Sequence, residues 1–313
     1  MISVALLGLA FAPPPLATRL RGVSRATVVA SAADIVTGWQ PSALSKVVDT
    51  IGLTEKEYAA DLGFDSFTMA GSTGKVASYE GPGAPNVAWC SGLQLAGPDI
   101  SRGAVMAFCG PLTDIPHLIA TCGVSAGGVD LYIDWRPRAD AAYDPAFATL
   151  AEYPDPETRE AFAESSNRKD FAGAFFTEEA EAWRAALLAL DGATPAAPMS
   201  KEEVASISSG PLLVHLRLPL TDAAAQAAAD ACTSAVDRWL DWMMSAEEMK
   251  RGLSAGMRQT ATYTRDTKVR ANHFGFLLKA YTTMLGFNLA SEAKQLASAD
   301  AGPLDEAYVG GGS

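Results

Sequence analysis

Five short apolar segments between Lys75 and Asp134 constrain the fold more than any other feature of the chain. They read KVASYE, NVAWCSGLQLA, GAVMAFCG, HLIATCG and VDLYIDW, and Gly, Pro, Asn and Asp separate them. They recur at roughly 8–14 residues, a spacing too short for the helical crossovers that parallel strands require. We therefore predict an antiparallel meander. Because the segments are apolar at successive positions, we expect both faces of the sheet to be covered.

Helical patterns lie on both sides of this meander. The segment 41–53 has helical spacing and should begin near Ser42 or Ser45, and segments 177–190, 221–253 and 270–297 continue the helical pattern after the meander. The segment 211–220, PLLVHLRLPL, fits either a strand or a helix. These elements predict the α+β class, as an α/β/α sandwich in which helices cover both faces of a central antiparallel sheet.

The first forty residues differ from the rest, because no acid precedes Asp34. An apolar run, Ile2–Ala12, is too short to span a bilayer and is followed by a basic stretch with Arg19, Arg21 and Arg25. A signal-like core followed by Phe-Ala-Pro and a basic, acid-free stretch resembles the bipartite leaders of algae with secondary plastids. A plain secretory signal is the alternative, but four cysteines without a pairing pattern favour the plastid.

This pattern predicts a leader at 1–40, a single domain at 41–300 and a flexible tail at 301–313. The predicted location is the plastid (chloroplast) stroma.

Composition excludes several kinds of function. A net charge of -12 argues against nucleic acid as a partner. No apolar run reaches the roughly 20 residues that a membrane-spanning helix needs, so we do not expect an integral membrane protein. The four cysteines lack a CxxC pair and the three histidines lack ligand spacing, so we expect buried reduced thiols and no metal site. The glycine-rich SAGGVD (125–130) is predicted to be a hairpin turn, and the chain has no GxGxxG, P-loop or GxSxG motif, which disfavours a bound flavin, nicotinamide or ATP.

Three polar segments are candidates for a site, each with an ordinary structural alternative. In DWRPRAD, Asp134 caps a turn beside solvated arginines, or Arg136 or Arg138 pairs with ligand carboxylates. EVASISSGPLL forms a polar loop, or its serine hydroxyls bind a polar ligand edge. In TYTRDTKVRANHFGFLL, one reading is a helix cap followed by a solvated basic helix face. In the other reading, an acid or a histidine transfers protons and the basic side chains contact an acidic partner. The residues concerned in the last two segments are Ser206, Ser208, Ser209, Asp266, Lys268, Arg270 and His273.

In this order, VDLYIDWRPRADAAYDPAF, VASISSGP, AVDRWLDWM, TRDTKVR and MLGF resemble the red chlorophyll catabolite reductases, a branch of the ferredoxin-dependent bilin reductases. The resemblance extends over about Asp65–Ala293. It implies an α/β/α sandwich with no bound cofactor. It also implies an open-chain tetrapyrrole substrate reduced in one-electron steps by ferredoxin, and in this branch the substrate is the red bilin of chlorophyll breakdown. Biliverdin as the substrate, or a non-catalytic tetrapyrrole carrier, are the alternatives.

The chain departs from this family at two positions. Thr121 and Phe276 align where the family is thought to carry a Glu on a central strand and an Asp near the last helical region. Both are expected to line the substrate pocket, and Ser208 falls near the position that shapes product stereochemistry. Neither Thr121 nor Phe276 can donate a proton at working pH, so another acid or a histidine would have to donate it. The candidates for that catalytic role are His273, Asp266, Glu80 and His117, with Asp114 and Asp130 as further acids nearby.

Overall fold

The computed structural model describes most of the predicted sheet and three helices. It describes residues 25–55, 67–69, 72–81, 87–98, 100–109, 115–125, 127–136, 175–196, 210 and 212–245, and positions 274–275, 277–279, 281–282, 293–294 and 297.

The centre of the fold is a nine-stranded antiparallel sheet in the order β1-β3-β4-β5-β6-β7-β9-β8, with β2 paired to β3. The predicted meander is confirmed, because β3 to β7 pair in chain order and β6 meets β7 at Ser125 and Gly128. The strands are β1 (Thr54–Glu55), β2 (Phe67–Met69), β3 (Ser72–Glu80), β4 (Val87–Ala96), β5 (Ile100–Cys109), β6 (His117–Ser125), β7 (Gly128–Arg136), β8 (Thr194–Pro195) and β9 (Val214–Leu218).

The back face of the sheet carries the larger core. Helices α1 (Arg25–Ile51) and α3 (Asp222–Met244) pack on it, and the shorter α2 (Glu178–Leu188) belongs to the same core. The apolar stripe of α3 is buried, including Trp239, whose Nε1 donates to the Pro116 carbonyl at 2.9 Å. Thr177 and Thr221 cap α2 and α3 by accepting hydrogen bonds from the Ala180 and Ala224 amides.

The domain boundary predicted at residue 40 falls inside a helix. Helix α1 runs from Arg25 through Pro41 to Ile51, and Ala32, Val36 and Trp39 are buried in the core. These positions share one helical face, and the sequence pattern missed them because the helix was expected to begin after Pro41. A leader that ended at residue 40 would remove part of this core.

A hydrogen bond from the sheet compensates for Pro41. Proline has no backbone N–H, so a proline inside a helix leaves the carbonyl four residues earlier without its usual donor. That carbonyl belongs to Thr37, and the Gln94 side chain on β4 donates to it at 2.9 Å. The helix can therefore continue through the proline, because β4 supplies the missing donor.

The segment that the sequence left open, 211–220, contains strand β9. It pairs with β7, so β7 is an internal strand and not the last strand of the sheet. The strand explains the pattern of Val214, Leu216 and Leu218, because their period-two spacing puts all three side chains in the back-face core.

The front face of the sheet is also covered, by helical residues between positions 274 and 297. Leu277, Tyr281, Ala293 and Ala297 are buried there against strand residues, among which Trp89 and Met106 are almost fully buried. Helical structure therefore lies on both faces, and the α+β fold class is confirmed. No helix in the described part of the chain is long and apolar enough to cross a membrane.

The four cysteines are buried free thiols, as predicted. Burial and the neighbouring Cys109 raise the pKa of Cys90 to about 12, so its thiol stays protonated at neutral pH.

Candidate functional site

Polar side chains cluster on the front face where β5, β6, β7 and β9 lie side by side. Residues that are directly opposite in antiparallel strands share a face, so the register defines three rows across the sheet. The first row is Arg102, Gly123, Asp130 and Arg217; the second is Ala104, Thr121, Tyr132 and His215; the third includes Met106, Ile119 and Asp134. Such a group of polar residues on a covered sheet face needs a structural or functional reason.

Asp134 is the centre of a buried hydrogen-bond network. Its Oδ2 accepts from Arg136 Nε at 3.1 Å and from the Tyr132 hydroxyl at 3.4 Å, and its Oδ1 accepts from the Gly210 amide at 2.8 Å. Arg136 also donates from a terminal nitrogen to the Tyr132 hydroxyl at 3.1 Å. Asp134 is 0% exposed and Arg136 is 1% exposed, so Arg136 is not solvated as one alternative had it.

Burial raises the pKa of Asp134 to about 6, although Arg136 and the hydrogen bonds from Gly210 and Tyr132 oppose the shift. A carboxyl with a pKa this near neutrality holds a proton for part of the time and can give it up. The Tyr132 hydroxyl donates to Asp134, and Tyr132 also lines the adjacent cleft, so Asp134 is connected to the cleft through Tyr132.

Asp130 lies four residues earlier on the same strand and face. Its Oδ1 accepts from Arg217 Nε at 2.9 Å and from Arg217 Nη2 at 2.8 Å, and the Ser125 hydroxyl donates to its Oδ2 at 3.3 Å. Burial raises the pKa of Asp130, with Arg217 and Ser125 acting in the opposite direction. Tyr132 is therefore flanked along β7 by two carboxyls that both bind protons more tightly than an exposed aspartate.

A cleft opens beside Tyr132 on this face. The ring of Tyr132 packs edge-on against His215 with the ring centroids 5.2 Å apart. The cleft lining combines apolar walls with a few ionisable groups: Ile100, Ser101, Arg102, Thr121, Gly123, Val124, Asp130, Leu131, Tyr132 and His215.

Thr121, at the position where the family resemblance expects a glutamate, lies in this cleft on the central strand β6. Its hydroxyl accepts a hydrogen bond from Arg102 Nε at 2.8 Å. The cleft therefore carries a neutral residue in the middle strand, while carboxyls lie on the neighbouring strand β7.

His117 is buried at the start of β6, opposite Arg136. Its Nδ1 accepts from the Cys109 amide at 2.9 Å, which requires the ring proton to be on Nε2 and the imidazole to be neutral. A neutral imidazole with Nδ1 engaged has only its Nε2–H to donate. A catalytic role for His117 stays a prediction.

Glu80 is not brought together with this cluster. It is exposed at the end of β3, which is separated from β6 by β4 and β5. At about 4.8 Å per strand, Glu80 is roughly 14 Å from β6.

The remaining candidates fall outside the described residues, and their roles stay predictions. They are Asp114, Arg138, Ser206, Ser208, Ser209, Asp266, Lys268, Arg270, His273 and Phe276.

Sequence reasoning missed Asp134 and Arg102 as site residues. The sequence pattern offers a turn cap as one role for Asp134, yet Asp130, Tyr132, Asp134 and Arg136 alternate at period two. That alternation is the signal that places all four on one face. Arg102 carried no comparable signal, because only the pairing of β5 with β6 brings it to Thr121.

The chain matches no protein-family model and no curated protein sequence. Solved structures do match, and one of them is the selenomethionine form of phytochromobilin synthase from tomato in complex with biliverdin. The tomato protein and this chain are 12% identical and superpose with a TM-score of 0.48 over 85% of this chain and 83% of the other.

Proposed function

We propose that this protein reduces an open-chain tetrapyrrole on the front face of its sheet, with reduced ferredoxin as the electron donor. The proposed substrate is red chlorophyll catabolite and the product is the primary fluorescent catabolite. The ordered sequence motifs that resemble the red chlorophyll catabolite reductases support the family. The observation that carries the proposal is the buried Asp134, with a pKa of about 6 and a hydrogen bond to Tyr132 at the cleft.

The reaction needs protons as well as electrons. Two reduced ferredoxins each give one electron, and two protons are taken up, so that one C=C bond becomes a CH–CH bond with a new hydrogen on each carbon. The tetrapyrrole accepts the electrons itself, which makes a flavin or nicotinamide group unnecessary. Asp134, with a pKa of about 6, is the proposed source of one of these protons, and the other is taken up from solvent.

An anaerobic assay tests the proposal. The protein is mixed with red chlorophyll catabolite, ferredoxin, ferredoxin reductase and NADPH, and we expect the red absorbance to decrease while a blue-fluorescent product appears. An active plant enzyme serves as the positive control. No turnover in this assay would contradict the proposal.

Two variants connect the assay to the site. Asp134→Asn removes the proposed proton donor and should lower kcat by roughly 100-fold or more, within the usual contribution of a general acid. Asp230→Asn changes an exposed aspartate on α3 and should leave kcat unchanged. Equal rates for the two variants would remove Asp134 from the mechanism.

Biliverdin is the second candidate substrate. Biliverdin is also an open-chain tetrapyrrole, and each reduced double bond takes up two electrons and two protons. The site would therefore have to supply the same number of protons to either substrate. Running the same assay with biliverdin separates the two, because the better substrate is the one with the higher kcat/KM.

A non-catalytic carrier is the alternative from a different functional class. Thr121 favours it, because a threonine on the central strand cannot donate a proton in place of the expected glutamate. Stoichiometric bilin binding without ferredoxin-dependent reduction would select the carrier.

The electron donor and the location belong to the same proposal. A protein with a net charge of -12 needs a local basic surface to bind an acidic ferredoxin, and Lys268 and Arg270 are the proposed contacts. The plastid stroma, reached through the N-terminal leader, supplies both ferredoxin and chlorophyll-derived bilins.

A further inference from the structure

Arg102 is a buried cation that no carboxylate of the described residues neutralises. The residue is 7% exposed and lines the cleft. Its Nε donates to the Thr121 hydroxyl at 2.8 Å, and no carboxylate of the described residues pairs with it. Its terminal nitrogens Nη1 and Nη2 make no hydrogen bond within the described part of the chain.

The other two arginines of this face are neutralised by the protein. Arg136 pairs with Asp134, and Arg217 pairs with Asp130. Each of these pairs combines one guanidinium with one carboxylate of β7. When these two ion pairs and Arg102 are taken together, Arg102 is the one positive charge that is left without a carboxylate.

Burying a guanidinium is unfavourable unless an anion and hydrogen-bond acceptors compensate for the lost water. Thr121 supplies one acceptor, and because it bonds to Nε it fixes the plane of the guanidinium. The two terminal nitrogens then present parallel donors, which is the arrangement that matches the two oxygens of a carboxylate.

We propose that Arg102 and Thr121 form a carboxylate-binding subsite in the cleft, occupied by an acidic substituent of the ligand. This inference rests on the proposed function, in which a tetrapyrrole acid is the ligand. It also gives Thr121 a role of its own. A glutamate here would neutralise Arg102 from within the protein, whereas threonine leaves the charge for the ligand.

The ligand group should carry a single negative charge. Arg102 supplies one positive charge, and the Asp130 carboxylate lies in the same cross-strand row and would repel a dianion such as phosphate. Ile100 and the ring of Tyr132 line the same cleft and suit an apolar body attached to the acid. A carboxylate on a flat, largely apolar molecule satisfies both conditions.

Binding titrations with matched acids and neutral analogues test the subsite. Biliverdin is compared with biliverdin dimethyl ester, and pyrenebutyrate is compared with pyrenebutanol as a pair that is independent of bilins. The wild-type protein should bind each acid about tenfold to 100-fold more tightly than its neutral analogue, as expected for hydrogen bonds to a charged partner. Arg102→Gln should abolish that difference.

Two further variants make the result specific. Thr121→Glu places a carboxylate beside Arg102 and should also abolish the preference for acids, although the arginine is still present. Arg238→Gln removes an arginine on α3 that pairs with Glu179, and it should keep the full preference. Arg102→Gln should fold normally, because it removes an uncompensated buried charge, and circular dichroism and urea unfolding check this.

The two ligand pairs separate the failure of this inference from the failure of the proposed function. If the wild type binds biliverdin but does not distinguish it from its ester, or if Arg102→Gln keeps the preference, the subsite is refuted and bilin binding stands. If no bilin binds, the proposed function fails, and an Arg102-dependent preference for pyrenebutyrate still supports the subsite. Absence of a preference for either acid refutes the subsite.

Discussion

The pH dependence of folding stability gives a direct check on the buried Asp134. Its pKa is about 6 in the folded protein and 3.8 in its ordinary state, so the folded protein binds this proton more tightly than the unfolded chain. Between these two values the folded state carries more protons, and its stability must therefore decrease as the pH rises. The full contribution is present below pH 3.8 and is lost as the pH passes about 6.

The difference between the two pKa values corresponds to about 3 kcal/mol, at 1.36 kcal/mol for each factor of ten in proton affinity. This value can be assigned to one group because Asp134 is 0% exposed and solvent screening is weak. Asp134→Asn cannot ionise and should lack this pH dependence. The variant resembles the protonated carboxyl, so any cost that the amide adds through packing or hydrogen bonding should be nearly independent of pH.

The measurement is urea unfolding of wild type and Asp134→Asn at intervals from pH 3.5 to 7.5. Subtracting the two free energies of unfolding cancels the other titrating groups. The wild type should lose about 3 kcal/mol relative to the variant as the pH rises. Asp230→Asn, at an exposed position on α3, gives the baseline for an aspartate outside the site. Parallel curves for wild type and Asp134→Asn, or a difference of the opposite sign, would refute the burial argument.

Three other predictions concern the core. Gln94→Ala should lower the free energy of unfolding by about 1 kcal/mol, because the Thr37 carbonyl loses its donor. The loss should be smaller in a Pro41→Ala background, where residue 41 supplies a backbone N–H to the same carbonyl. Equal losses in both backgrounds would show that Gln94 does not compensate for Pro41. Trp239→Phe should cost about 1–3 kcal/mol in urea unfolding, because the buried Pro116 carbonyl loses its N–H donor and keeps only the weak thiol donor of Cys109, whereas an unchanged midpoint would mean that the bond contributes nothing. The four buried thiols should react with a thiol reagent only after unfolding, and rapid modification of the native protein would contradict their burial.

The sheet could be predicted from sequence because its strands follow one another with short turns between them. Each pairs with its neighbour in the chain, so local apolar segments carry nearly all the information. Strand β9 could not be placed in this way, because its partner β7 lies far earlier in the chain. The start of α1 was missed for a related reason, since Pro41 signals a boundary locally and only Gln94, from β4, makes the continuous helix acceptable.

The candidate site was predictable only in outline. The segment around Arg136 was recognised as chemically unusual, yet the only role predicted for its partner Asp134 was that of a turn cap. Arg102 and Thr121 meet across two strands, and their hydrogen bond depends on the register of that pairing. A sequence shows which residues alternate along one strand, but not which residue of the next strand lies opposite.

The number of ferredoxins oxidised per bilin reduced tests the central claim most directly. Under anaerobic conditions, a known amount of reduced ferredoxin is mixed with a smaller amount of red chlorophyll catabolite and a trace of protein, and both absorbance changes are followed together. We expect two ferredoxins to be oxidised for each molecule of fluorescent product formed. Ferredoxin that stays reduced while the bilin spectrum changes only by binding would contradict catalysis and identify the protein as a carrier.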